Sequence, residues 1–534
     1  MFLRPVASLC LLAFVYSASM AQSAAPRPAF EIADVHASPH RMFAIQDPGV
    51  LRGDRYVVRE ATMLNLIALA YSIDPVKVQG GPSWLEMDRF DIIAKAPPNT
   101  SPANLKLMMQ SLLADRFNLV LHNGDQQMAT YVLTAGKDKP KLKESSEKED
   151  GDCSNEAMTT NADGISVVHV GCHHVTMEGF VNALHDIASG YLRNPVVDST
   201  GLKGRYDFKM TWTPRGQLAK AGADGISLFD AIDKELGLKL TLQTTAQQAL
   251  IVDSANEQPS PNATDMTTKM PPEPLPAFDV AVIKPNKSGA LDNNFDLSGS
   301  QLRLQNVTLK TLVAFAWDLN ANDSDAFVAP SWLGTERFDV LAKAPTDVHV
   351  SSDKDALSID PEDIRVMLRD LLIERFQIKS HMEDRQVSAF VLTAANPKLH
   401  KADPASRTHC VEGPGPDGKD PRVATPALNR LLTCQNMTMA QLGEELRTLA
   451  GGYIYSDVLD KTGLAGGWDF TLSFTSAKQM QAAQSTADNG ASDPSGALSL
   501  TDAVNKELGL KLEKERRPAQ VLVIDSIQQK PTAN

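Results

Sequence analysis

The residues predict an α+β protein: two tandem homologous modules of short helices and mainly antiparallel strands, each with one intradomain disulfide. Three observations lead there. The chain repeats itself in order. Phe30-Glu31-Ile32-Ala33 returns as Phe278-Asp279-Val280-Ala281, Pro82-Ser83-Trp84-Leu85 as Pro330-Ser331-Trp332-Leu333, and Arg89-Phe90-Asp91 as Arg337-Phe338-Asp339. Apolar helical stripes alternate with short strands at hairpin-length spacings, which favours α+β over a doubly wound parallel sheet. After Cys10 the cysteines fall in pairs at matching places of the repeat, Cys153 with Cys172 and Cys410 with Cys434. Each bridge would close a loop of about 20 residues, worth roughly 3 kcal/mol in the chain-entropy model. A thiol redox pair is disfavoured because no Cys-x-x-Cys is present.

Residues 1–21 read as an export signal, with Arg4 ahead of the apolar run Val6–Val15 and small residues Ser19 and Ala21 before the cut. That run is about half the ~20 residues a membrane span needs, so an uncleaved anchor is the weaker alternative. Lipid attachment at Cys10 is weaker still, since Leu9 is not small and most apolar residues follow the cysteine. The first module is expected at 28–254, a proline-rich, semi-extended linker at 255–277, and the second module at 278–527.

Within the first module, Tyr56-Val57-Val58 leads into a helix with the buried stripe Met63, Leu66, Ile67 and Ala70, capped by Thr62. Thr308 with Leu309, Leu312, Val313 and Ala316 repeats it. Arg89–Ala94 and Arg337–Ala342 read as strands. The next helices open at Ser101-Pro102 and Asp360-Pro361, a cap followed by proline at the first helical position. Strands are expected at Asn118–Leu121 and Thr130–Thr134, with counterparts Gln377–Lys379 and Ala389–Thr393. Helices carrying Met177, Phe180, Leu184 and Met439, Leu442, Leu446 follow. The last unit starts at Ser227-x-x-Asp230 and Ser499-x-x-Asp502, stops at Gly237 and Gly509, and ends in two strands per copy.

The 534 residues carry a formal net charge of −13 and no basic stripe, which disfavours a nucleic-acid partner. The recurring polar residues are the candidates for chemistry. Asp198-Ser199-Thr200-Gly201 with Asp207 recurs as Asp460-Lys461-Thr462-Gly463 with Asp469. These aspartates suit an acid/base pair, but also the ordinary needs of a turn followed by a hairpin strand. Arg89, Asp91, Arg337 and Asp339 flank strands; Trp84 and Trp332 either close the core or stack on a ligand. These ten residues form the candidate binding set. His122 and His381 are the only recurring histidines. His169, Cys172, His173, His174 and His185 match no closed zinc pattern, and Asp318–Asn322 starts a calcium loop that Asp323 and Ala329 break. No metal, cofactor or catalytic set is therefore expected, and no Gly-x-Ser-x-Gly, His-Glu-x-x-His, Walker or dinucleotide motif occurs.

The order Phe-Glu-Ile-Ala, Gly80-Gly81-Pro82-Ser83-Trp84, Arg89–Ala96, Leu112–Leu119, Asp198-x-Thr200-Gly201-Leu202-x-Gly204, Glu235–Leu240 and Val252-Asp253 resembles a soil-associated exported family of unknown function that is expanded in acidobacteria. Here the pattern occurs twice, with Val328-Ala329 in place of the Gly-Gly before Pro330. Related domains fused to membrane metallopeptidase sensors imply extracytoplasmic sensing or binding. The expectation is a periplasmic or secreted, noncatalytic binding module whose partner is an envelope protein or a small ligand. Two rivals are carried: a secreted hydrolase using the recurrent aspartates, and an envelope-assembly module like the short N-terminal domains of secretins and TonB-dependent receptors.

Overall fold

The structure is a computed structural model. It describes residues 27–532 except 40, 42–46, 138, 148, 150, 162–163, 273–276, 291, 299, 346–348, 351–359, 416–418, 426 and 482–495. The export signal expected at 1–21 lies outside the described residues.

Each copy folds as two lobes bridged by a long ribbon. The proximal lobe of the first copy lays helices Met63–Tyr71 and Pro102–Phe117 on an antiparallel sheet ordered Ile32–Ala37, Arg89–Lys95, Arg55–Thr62, Asp47–Arg52, with His349–Val350 of the second copy added at the last edge. Its distal lobe sets helix Met177–Ile187 beside a sheet ordered Lys143–Glu144, Tyr206–Trp212, Ser166–Val175, Cys153–Thr160. Between the lobes run Val120–Ala135 and Leu238–Ser254, strands of 16 and 17 residues paired antiparallel. At about 3.4 Å per residue the ribbon is about 50 Å long. The second copy repeats this order, with Lys379–Ala394 and Leu510–Ser526 as its ribbon. Four separate hydrophobic cores result, one per lobe. Cys153 is bonded to Cys172 and Cys410 to Cys434, each pair between neighbouring strands of a distal lobe.

The ribbon corrects the expected strand lengths. What reads as two strands, Asn118–Leu121 and Thr130–Thr134, is one continuous strand. The two expected strands that close each copy likewise merge into one. A two-stranded ribbon offers no buried face in its middle, so His122–Gln127 stays exposed or half-exposed and shows no alternation. The segment after the first ribbon lies against the proximal lobe. Arg116 donates to the Ser260 carbonyl at 3.1 Å, and Asn262 Oδ1 accepts the Val35 amide at 3.0 Å, strapping the segment along the proximal lobe.

The two lobes of one copy are themselves alike. In every lobe a strand carries, near its end, a residue of left-handed backbone placed two before a threonine N-cap. These are Glu60 (φ 54), His174 (φ 52), Asn306 (φ 57) and Asn436 (φ 48), ahead of Thr62, Thr176, Thr308 and Thr438. The helix preceding each ribbon strand ends on another left-handed residue: Asn118, Gly237, Gln377 or Gly509. The short strand Val78–Gly80 joins the distal lobe's ribbon strand, and Val196–Asp198 joins the proximal lobe's, both in parallel. The halves of a copy thus exchange strands about a pseudo-two-fold axis, and the repeat seen twice in the residues is fourfold in the fold.

Candidate functional site

Most of the recurring polar residues serve the backbone. Asp91, Asp207, Asp339 and Asp469 accept the amide N–H of the left-handed residue on the adjoining strand, at 2.9, 2.9, 2.8 and 2.8 Å. In the proximal lobes an arginine takes the other end of the same residue: Arg89 donates to the Glu60 carbonyl at 2.9 Å and Arg337 to the Asn306 carbonyl at 2.7 Å. The Arg-Phe-Asp motif is a clamp on both polar groups of one bulged residue, which would otherwise be buried without partners. Asp198 and Asp460 accept the amides of Thr200 and Thr462 at 2.8 Å, closing their own turns. Trp84 is buried edge-on to Phe90, and Trp332 is partly buried against its own proximal core.

A hydrolytic pair needs carboxylates left available to substrate, and these are committed to amides. Ser145, His174 and Asp207 do come together, at 2.5 and 3.3 Å. Both partners meet the same ring nitrogen, Nδ1, so the relay through opposite sides of an imidazole is not formed. His122 and His381 meet Asp253 and Asp525 across their ribbons at 2.9 and 3.0 Å, exposed contacts of little energetic weight. Cys172 is in a disulfide, the His185 side chain lies outside the described residues, and among the described residues no cluster of three His, Cys, Asp or Glu is placed to hold a metal ion.

The copies meet at a junction that repeat-based reading passes over, because most of its charged residues occur in one copy only. Arg59 bridges Asp91 of its own lobe at 3.2 Å and Asp360 of the second copy at 2.7 Å. Burial works against the Arg59 charge, but Asp360 and Asp91 outweigh it and hold the guanidinium above its ordinary value. Arg41 pairs with Glu362 at 2.7 Å. Arg407 of the second distal lobe donates to the Gly80 carbonyl at 2.7 Å and meets Glu86 at 3.2 Å, while Met87 packs on that lobe's core. At the corresponding places Gln305 stands for Arg59, Ser101 for Asp360 and Gly334 for Glu86.

This junction encloses a cleft of about 800 Å³. The first copy lines it with Arg41, Glu60, Asp88, Arg89 and Glu257. The second contributes Gln441, Glu444, Glu445 and Thr448 from helix Met439–Leu449, spaced to share one face, together with Arg447. Carboxylates outnumber guanidiniums. Burial, a hydrogen bond with the Glu257 carboxyl and the charges of Glu257 and Glu444 push Asp88 up to about 6. Burial also raises Glu445, against the pull of Arg89. In the second copy one carboxylate of the Asp88–Glu257 pair is replaced by an amide, and Gln529 donates to Glu336 at 3.1 Å.

A pH dependence follows. Asp88 folded holds its proton up to about 6, whereas unfolded it loses it near 4. The native state binds the extra proton, so stability falls as pH rises across that window. Solvent screening of the partly exposed pair limits the loss to ~1 kcal/mol. Glu257→Gln, which installs the second copy's arrangement, should flatten this slope when thermal unfolding is followed from pH 4 to 7. An unchanged slope removes Asp88 as its source.

A family model described as protein of unknown function (DUF3738) matches residues 64–255 and 310–527. The two stretches take up most of the chain, once per copy, and the chain belongs to that family. No curated protein and no solved structure matches it. Among the described residues no helix is long and apolar enough to cross a membrane.

Proposed function

We propose that the chain is an exported, noncatalytic binding module of the soil-associated kind, whose ligand sits in the cleft between the two copies. The observation that carries this is the contrast between lobes. Residues the fold needs recur from copy to copy, whereas three of the cleft's carboxylates do not: Glu444 and Glu445 stand where the first copy has Asn182 and Ala183, and Glu257 where the second has Gln529. Side chains that raise one another's pKa by crowding are not selected by stability. A cation entering among Asp88, Glu257 and Glu444 relieves that crowding, and Arg41, Arg89 and Arg447 at the walls suit an acceptor group on the same molecule. The ligand class is a small amine or amino-bearing zwitterion.

The test is calorimetric titration of the full chain with 1,4-diaminobutane and L-lysine at pH 7.5 and pH 5. Binding is expected at pH 7.5, weaker at pH 5 where Asp88 is protonated, and weaker by tenfold or more in the Glu444→Gln, Glu445→Gln double variant. Absence of heat and of thermal stabilisation with either amine rejects the proposal.

A further inference from the structure

A second cavity lies where the first copy's ribbon, its distal lobe and the second copy meet. It measures about 410 Å³ and is bounded by Gln127, Met128, Arg193, Asn194 and Arg407. Its chemistry is opposite to that of the cleft. Its one carboxylate, Glu86, is already paired with Arg407 at 3.2 Å. Arg193 lines this cavity, and its Nη1 has no hydrogen-bond partner among the described residues. Burial lowers its pKa, and the neighbouring charges of Arg215 and Arg422 lower it further, against Glu412. Arg422 is itself held by Asp420 at 2.8 and 2.7 Å, which leaves it little to offer Arg193's surroundings.

The second copy again shows what the fold does without. Tyr455 takes the place of Arg193, Ala477 that of Arg215 and Phe390 that of Tyr131. Tyr455 satisfies itself by donating to the Gly452 carbonyl at 2.7 Å. The lobe therefore closes with neutral residues, and the two arginines set against one another in the first copy are an unfavourable arrangement that the architecture does not demand. A half-buried guanidinium at the wall of a cavity, with no carboxylate there left to pair it, is matched by a two-oxygen acceptor, which takes both of its parallel N–H groups.

We propose that this pocket binds a small oxyanion, a carboxylate or phosphate group, through Arg193 with Asn194 and Gln127 alongside and Arg215 behind. The site is distinct from the amine cleft in position, in charge and in the residues that build it, so either proposal can fail without the other.

The experiment is calorimetric titration and thermal shift of the full chain with sodium phosphate and with sodium succinate, each against sodium chloride at equal ionic strength. At least one probe should bind above the chloride control, and the stronger response identifies a tetrahedral or a planar acceptor. Arg193→Tyr, the second copy's own residue, should weaken that binding tenfold or more, and Arg215→Ala severalfold, with the thermal transition in chloride preserved or raised. Should Arg193→Tyr lose its transition, Arg193→Gln repeats the test with a smaller side chain. Binding that matches the chloride control for both probes overturns the proposal. So does an Arg193 variant that folds and binds as tightly as the original chain.

Discussion

Asp360→Ser will loosen the junction between the copies by about 3 kcal/mol while leaving helix Pro361–Phe376 its cap. Asp360 does two jobs: its carboxylate accepts the Glu362 amide at 3.0 Å, and it receives Arg59 at 2.7 Å. Serine performs the first job at the same place in the first copy, where Ser101 accepts the Asn104 amide at 3.3 Å. It cannot perform the second. Arg59 is then left with Asp91 alone in a site that is 14% exposed, and a buried cation short of one partner is among the larger single penalties in a folded protein. Denaturant unfolding should resolve into two transitions, and small-angle scattering should show a larger radius of gyration. Superimposable curves for the two proteins would show that the bridge does not hold the copies together.

Asp91→Ala should be the most damaging of the four clamp substitutions, at about 4 kcal/mol by urea denaturation. Its carboxylate is 1% exposed and accepts the Glu60 amide, the Ser38 hydroxyl at 2.6 Å and Arg59 at 3.2 Å. Removing it leaves a buried amide, a hydroxyl and a guanidinium short of a partner together. Asp207 serves the same amide position at 23% exposure, where water can replace part of what is lost, so Asp207→Ala should cost about 1–2 kcal/mol. Equal effects would refute the clamp as the source of the difference.

Much of the architecture is legible in the residues. Thr62 and Thr308 cap where a hydroxyl before an apolar stripe says they should. Ser101-Pro102 and Asp360-Pro361 open their helices, and the cysteines meet within each copy. The fourfold character is harder to see because few side chains carry it. Arg89-Phe90-Asp91-Ile92 and Arg205-Tyr206-Asp207-Phe208 share a pattern, as do Thr62-Met63 and Thr176-Met177, but the segments between them differ in length. The candidate sites escape for a different reason. A search for recurring polar residues finds what all lobes need in order to fold, namely the clamps and turns. Glu257, Glu444 and Arg193 are visible only as departures from the repeat, and their meeting depends on how the copies dock, which local patterning does not encode.

The exchanged short strands set the smallest piece of this chain able to stand alone. A fragment holding one lobe with its long strand would present two unsatisfied edges, and neither could be covered from within. Two such fragments would cross arms and complete each other, each lending its three-residue strand to its sister. One copy is that crossed pair with its ends sewn together, and the whole chain is two of them in series. Amputating any one lobe therefore frays the ribbon of its neighbour rather than removing a self-contained part.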